Sequence, residues 1–292
     1  MADQQGADQP NMVKRAQPAK LEQNAGSNIK QVIGIMSGKG GVGKSLVCGL
    51  LAVEARRKGL KVGILDADIT GPSIPHMFGI DTQRITMIGK LLAPAITSTG
   101  IKVMSINLMM NNPNDPVIWR GSMIAGCVSQ FWTDVAWGDI DVLFVDMPPG
   151  TGDVPLTVFQ SLPIEGVVIV TSPQDLVSMI VNKAVKMAKE MDVPVLGVVE
   201  NMSYLKCPHC GERVDIFGKS QIHDIAKEQG LQVLAQLPID ATMAAQIDRG
   251  RVEDVEEGLI DAEKVVQDAA TVRVKDALIG SGFTFTTDPS QA

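Results

Sequence analysis

One segment constrains this chain more than any other: GKGGVGKS (38–45), four glycines and two lysines in eight residues. It follows the apolar run QVIGIM (31–36) and opens the helical pattern KSLVCGLLAVEARRKG (44–59). The spacing fits G-x-x-x-x-G-K-[ST], in the strand–loop–helix setting that pattern requires. Glycines let backbone N–H groups turn inward and form a nest for an anion, and the helix N-terminus adds partial positive charge. In such a loop Lys44 neutralises β- and γ-phosphates, and the Ser45 hydroxyl is placed to ligate Mg²⁺.

The rest of the chain continues the theme. Apolar runs at 61–68, 101–106, 141–146, 166–172, 194–201 and 231–238 read as strands, with helical patterns at 122–137 and 175–191 between them. Strands apolar on both faces and spaced by helices predict an α/β fold: a doubly wound, mostly parallel sheet with helices on both faces. One domain is expected over residues 30–280, including the segment 201–218, with a flexible tail at 1–29 and a loose one at 281–292. The mixed-charge pattern at 261–280 reads as a packing helix.

Composition removes several classes. A net charge of -7 argues against a dedicated nucleic-acid binder, which needs a basic footprint. No run of 18 or more apolar residues predicts a membrane span, and the polar N-terminus has no signal-peptide core, so the expected location is cytoplasmic.

Polar residues gather just past the strand ends, where doubly wound sheets bind ligands. LDADITGPS (65–73) offers Asp66 and Asp68. VDMPPGTGD (145–153) places Asp146 where a Walker-B acid belongs, and its Gly150 and Gly152 suit a loop that senses a γ-phosphate. Read singly, each aspartate is also a turn former or helix cap.

CPHCGE (207–212) is a second chemical centre. The C-P-x-C-G turn aims two thiolates at one metal, zinc or an iron–sulfur cluster. A thiolate site needs four ligands, and the chain has no second C-x-x-C. Cys48 and Cys127 read as small core residues, His209 as exposed, and His76 and His223 as surface or packing residues. A redox dithiol is the rival reading, but the proline after the first cysteine and the glycine after the second favour a metal knuckle.

With Lys39 just after the first glycine, KGGVGKS resembles the deviant Walker A class, which includes nitrogenase iron protein, MinD and ParA. Within it, GLKVGILDADITGPSIPHMFG, PVIWRG, VDMPPGTGD, TSPQDL, PVLGVVENMSY and CPHCGE resemble the Mrp/ApbC-type P-loop ATPases, from about residue 30 to about residue 250. That resemblance implies ATP hydrolysis and a phosphate cradle of Gly38, Lys39, Gly40, Gly41, Val42, Gly43, Lys44, Ser45 and Leu46. It implies Mg²⁺ held through Ser45, Asp68 and Asp146. Lys39 would reach the partner's nucleotide across a homodimer, Asp68 would position the attacking water, and Asn201 would read the adenine. Two copies of Cys207 and Cys210 facing across a two-fold axis would share a bridging [4Fe–4S] cluster, with structural zinc as the alternative.

The implied function is an ATP-dependent iron–sulfur cluster carrier, with apo iron–sulfur proteins and cluster-assembly scaffold proteins as partners and neither nucleic acid nor membrane among them. The rivals are a MinD/ParA-like positioning ATPase, a zinc-bridged dimeric ATPase and an electron-transfer protein. One residue departs from the family pattern. Leu46 stands where a threonine hydroxyl normally helps hold the α-phosphate.

Overall fold

In the central strands, alternate residues feed two separate cores. Val32 and Met36 pack on one face of the sheet while Ile33 and Ile35 pack on the other; Leu143 and Val145 oppose Val142 and Phe144 in the same way. Neither face can meet water, so helices must cover both. The computed structural model describes residues 20–69, 71, 73–110, 121–173, 177–207 and 209–280. PVIWRG up to residue 120, and residues 174–176 of TSPQDL, lie outside them.

The strands are β1 (Ser27–Ile29), β2 (Val32–Ser37), β3 (Val62–Asp66), β4 (Thr86–Ile88), β5 (Leu91–Ala93), β6 (Ala95–Ile96), β7 (Lys102–Met104), β8 (Gly138–Ile140), β9 (Val142–Asp146), β10 (Gly166–Thr171), β11 (Val195–Lys206), β12 (Arg213–Val214) and β13 (Val233–Ile239). The helices are α1 (Lys44–Arg57), α2 (Ile74–Met77), α3 (Gly121–Thr133), α4 (Asp153–Ser161), α5 (Val177–Glu190), α6 (Ile222–Glu228), α7 (Ala241–Asp248) and α8 (Ala262–Gly280). Among the described residues a nine-stranded sheet runs β12-β11-β10-β2-β9-β3-β7-β6, with β13 paired to β11. Its central ladders are parallel; only β6 and β12 join antiparallel. Helices α3, α4, α5 and α6 cover one face, and α1, α2, α7 and α8 the other. The expected doubly wound, mostly parallel α/β sheet is therefore the one observed.

Two of the boundaries that differ from the sequence reading are large. Residues 21–29, expected to belong to the tail, are tied to the fold. The indole N–H of Trp132 donates to the Leu21 carbonyl at 2.9 Å, the Asn24 amide donates to the carbonyls of Thr133 and Val135 at 2.8 Å each, and β1 pairs with β8. Local composition hides this because the partners lie more than 100 residues away. The strand expected to end at Asn201 runs on to Lys206.

Register positions the site. Asp66 pairs with Asp146 across β3 and β9, and Ile35 pairs with Asp146 across β2 and β9. Both acids therefore stand at the C-terminal edge, beside the loop that leaves β2. On β11 the ladder to β13 slips: Glu200 opposes Gln236 and Tyr204 opposes Pro238, four residue steps against two. Met202, inside this bulge, has φ 56°, the left-handed region that a non-glycine residue rarely adopts.

Candidate functional site

Helix α1 begins at the loop. Gly41 and Gly43 take φ of 80° and 81°, which only glycine adopts without strain. A Cβ at Gly43 would lie 2.1 Å from the Asn201 amide nitrogen, and one at Gly38 would lie 2.9 Å from the Ile180 carbonyl on α5. Gly38 is therefore needed for space, and Gly43 for space as well as for dihedral angle. Gly43 caps α1 with no side-chain bond and the first turn carries no acid, so the helix end presents its N–H groups and positive dipole toward the loop. Gly40 and Gly41 are exposed, Lys39 is half-buried between Gly38 and Gly40, and Val42 is buried.

Lys44 is only 5% exposed, yet it is charged-partnered. Its Nζ lies 2.6 Å from Asp146 Oδ1 and 3.4 Å from Asp68 Oδ2. The Ser45 hydroxyl donates to Asp146 Oδ2 at 2.5 Å. Burial works against the lysine's charge, but the carboxylates of Asp146 and Asp68 outweigh it and hold its pKa above the ordinary value. Burial pushes the Asp146 carboxyl up, with Lys44 and Ser45 pulling it back. Asp66 is raised well above the carboxylate range by burial and then by the charge of Asp146, while the Ser105 hydroxyl, 2.9 Å away, opposes this. The Asp66 carboxylate also accepts the backbone N–H of Asp68 at 3.2 Å, which fixes the start of that loop. Hard oxygen donors from Ser45, Asp146 and Asp68 gathered around one lysine are the donor set Mg²⁺ prefers.

The Asp146 loop is fastened to the same edge. The backbone N–H of Gly150 donates to the Ser37 carbonyl at 2.9 Å, and Gly152 caps α4. Asn201 is 4% exposed and its amide donates to the Val42 carbonyl at 3.0 Å. The structure thus brings Lys44, Ser45, Asp66, Asp68, Asp146 and Asn201 around one loop. Leu46 is half-buried and packs its side chain against the α1-side core.

Cys207 and Cys210 lie past the end of β11. The Cys207 N–H donates to the Glu212 carbonyl at 2.8 Å, and the Gly211 N–H donates to the Cys207 carbonyl at 2.9 Å. Gly211 has φ 75°, which closes the turn. Backbone N–H groups of Cys210 and His209, with the Cys210 thiol, hold the Cys207 pKa below its ordinary value. Cys207 is half-buried and Cys210 exposed, with exposed Val214, Ile216 and Phe217 close behind in the sequence. Among the described residues no group of three or more His, Cys, Asp and Glu could hold a metal, so one chain offers the knuckle's two thiols. His209, His76 and His223 are exposed; Cys48 and Cys127 are buried in the two cores.

Sequence reasoning missed two residues and a cleft. Ser105 directly follows β7, the strand beside Asp66, and carries no local motif. The buried Glu200 interrupts an apolar strand, which was a readable signal. A cleft of about 500 Å³ is lined by Tyr204, Lys206, Pro238, Asp240, Met243 and Gln246, which converge from β11, β13 and α7.

Fold and loop together define a P-loop nucleotide-binding protein of the deviant two-lysine class. The family model described as ParA, NUBPL iron-transfer P-loop NTPase, matches residues 28–272, and the chain belongs to that family. It is 50% identical over 244 residues to a protein of Clostridium perfringens named iron-sulfur cluster carrier protein, covering 81% of this chain and 85% of that one. A Methanocaldococcus jannaschii protein of the same name is 45% identical over 235 residues, covering 80% and 81%. Among solved structures, a nucleotide-binding protein of Archaeoglobus fulgidus in complex with ADP aligns with a TM-score of 0.71 and 45% identity, covering 78% of this chain and 89% of that one. The MinD cell division protein of Aquifex aeolicus aligns with a TM-score of 0.56 at 18% identity, covering 88% and 99%, which is a likeness of fold.

Proposed function

We propose that this protein is an ATP-dependent iron–sulfur cluster carrier that hydrolyses ATP, works as a homodimer, and delivers a cluster held by Cys207 and Cys210 to apo-proteins. The observation that carries this reading is the placement of both chemistries on one strand. Asn201 of β11 bonds to the phosphate loop, and the same strand leads directly into the two-thiol knuckle. The family membership and the names of the relatives support the cargo.

In this reading the loop N–H groups and Lys44 bind the β- and γ-phosphates, and Asp68 orients the attacking water. Ser45 and Asp146, with Asp68, hold Mg²⁺, which neutralises charge on the phosphates. Lys39 reaches the partner's nucleotide. The cluster is cargo, received from an assembly scaffold protein and passed to an apo iron–sulfur protein. Two thiols per chain become four when two knuckles face across a two-fold axis, and a [4Fe–4S] cluster shared at an interface is labile enough to hand on. No helix among the described residues is long and apolar enough to cross a membrane, and the proposed place of action is the cytoplasm.

Anaerobic reconstitution of the wild type and Cys207→Ser tests this. Iron and sulfide counts per dimer, with an absorption spectrum, should give a four-iron cluster in the wild type and a loss in the variant. Zinc alone in the wild type, or a full cluster in Cys207→Ser, would overturn the assignment.

A further inference from the structure

Glu200 is 1% exposed, and it follows the apolar run Val195–Val199 in the middle of β11. A carboxyl group so placed is costly unless every lone pair it directs inward is met. Three donors meet it. The Ser203 hydroxyl donates to Oε2 at 2.6 Å, the Gln236 amide donates to Oε2 at 2.8 Å, and the Ser220 hydroxyl donates to Oε1 at 2.8 Å. The Gln236 amide also donates to the Ser203 hydroxyl at 3.0 Å, which closes the network.

These donors come from different places. Ser203 lies in the bulge of β11 and Gln236 on β13. Ser220 lies at the far end of the loop that starts at the cysteine knuckle, and its hydroxyl also accepts the Ile222 N–H that opens α6. Residues 209–219 between the knuckle and Ser220 are exposed throughout. With no burial to hold this loop, its pairing to β11 and the bond at its far end decide its geometry. Within it, Val214 pairs with Leu205 of β11 and the Arg213 guanidinium sits 4.4 Å from the Tyr204 ring centroid. The bond at the far end is that of Ser220 to Glu200.

The neighbour of Glu200 is Asn201, whose amide is bonded to the Val42 carbonyl of the phosphate loop. The next residue is Met202, in the left-handed conformation at the ladder slip. Strain of this kind persists where surrounding contacts over-determine it, and it clusters at ligand clamps and switch regions. Adjacent residues therefore grip the nucleotide loop and the knuckle loop, with the strained bond beside them. A backbone displacement at Asn201 that carried Glu200 with it would stretch the bond to Ser220.

We propose that Glu200 is a positioning residue that transmits occupancy of the phosphate loop to the cysteine knuckle, through its hydrogen bond to Ser220. This rests on the carrier reading above, since it assumes a cluster at Cys207 and Cys210. It adds the physical link between the two sites: a buried carboxyl group on a bulged strand, rather than direct contact between nucleotide and cluster.

The test uses the full-length protein, reconstituted anaerobically, as wild type, Ser220→Ala and Ser220→Thr. Cluster transfer to an apo-ferredoxin is timed with and without MgATP, and the visible circular dichroism of the cluster is recorded in both conditions. The wild type is expected to change both transfer rate and spectrum on adding MgATP. Ser220→Ala is expected to keep iron content, ATP affinity and the nucleotide-free transfer rate within about twofold, while its ratio of rates with and without MgATP falls to about one. Ser220→Thr keeps the hydroxyl and should restore the ratio. Glu200→Asp, which draws the carboxyl back from Ser220 by one methylene, should give an intermediate ratio.

A wild-type response that persists in Ser220→Ala overturns the proposal and leaves the carrier reading standing. Loss of iron in Ser220→Ala without nucleotide also overturns it, because the residue is then a structural support of the knuckle. A wild type that holds its cluster but ignores MgATP removes the coupled carrier reading itself, and this inference with it.

Discussion

The Asn201 side-chain amide donates to the Val42 carbonyl at 3.0 Å across 159 residues of sequence. That single bond joins the phosphate loop to the strand that ends in the cysteine knuckle. It also explains why Gly43 must be glycine, since a Cβ there would collide with the same amide.

Asn201→Ala should weaken ATP binding and relax base preference together. The loop loses a buried hydrogen bond worth about 1 kcal/mol, and on the proposed role the adenine loses its reader. Titration with ATP and GTP should show ATP affinity falling several-fold and the ATP/GTP ratio moving toward one. Gly43→Ala should be worse than Asn201→Ala, because it forces a non-glycine residue to φ near 81° as well as causing the clash. If both variants bind ATP as the wild type does, Asn201 does not read the base.

Lys39→Ala should bind nucleotide yet lose hydrolysis. The loop nest, Lys44 and Ser45 remain to hold the phosphates, while the charge that the proposed trans role would supply across a dimer is removed; a residue acting in this way is worth roughly 10³-fold or more in rate. Phosphate release and equilibrium binding measured on the same sample separate the two effects. Full hydrolysis in Lys39→Ala would exclude the trans role.

Leu46→Thr should tighten nucleotide binding. The leucine is only half-buried, so its replacement costs little packing, while a hydroxyl at the first turn of α1 adds a bond to a charged phosphate worth about 1.5–3 kcal/mol before desolvation is subtracted. The expected gain is about tenfold in ATP affinity by calorimetry. No gain would mean that the loop N–H groups already saturate the α-phosphate.

Glu253 should control the acid limb of stability. Burial raises its pKa, but hydroxyls of Ser98, Thr97 and Thr99 and the Thr99 N–H more than offset this, so the folded value lies below the ordinary 4.5. The Thr97 hydroxyl donates to Oε1 at 2.6 Å. A group depressed in the folded state adds stability above its unfolded pKa, and that stability is lost as pH falls through the folded value. Stability of the wild type should therefore drop below about pH 4.5, and Glu253→Gln should be less stable at pH 7 with a shallower fall in acid. Parallel acid unfolding curves for the two proteins would refute this.

The nucleotide half of the site was legible in the sequence because its chemistry is local. A nest of N–H groups needs consecutive glycines, and Lys44 and Ser45 follow at fixed offsets on the helix it opens. Asp68 and Asp146 were legible one step further, since strands of a parallel sheet end at one edge and acids there converge. Leu21, Asn24 and Ser27 read as tail because their partners, at 132–138 and 161, are remote and a polar segment looks the same whether loose or anchored.

The sequence by itself determined the strand–loop–helix unit, the two-faced sheet and the two-thiol turn, all set by periodicity and by residues a few positions apart. Only the tertiary structure decided that Asp66 pairs with Asp146, that Lys44 is buried between Asp146 and Asp68, and that Glu200 ties β11 to Ser220. Register and burial are properties of distant segments packed together. A carboxyl group after an apolar run is an anomaly in one dimension and acquires its meaning when Gln236 and Ser220 arrive from elsewhere to join Ser203.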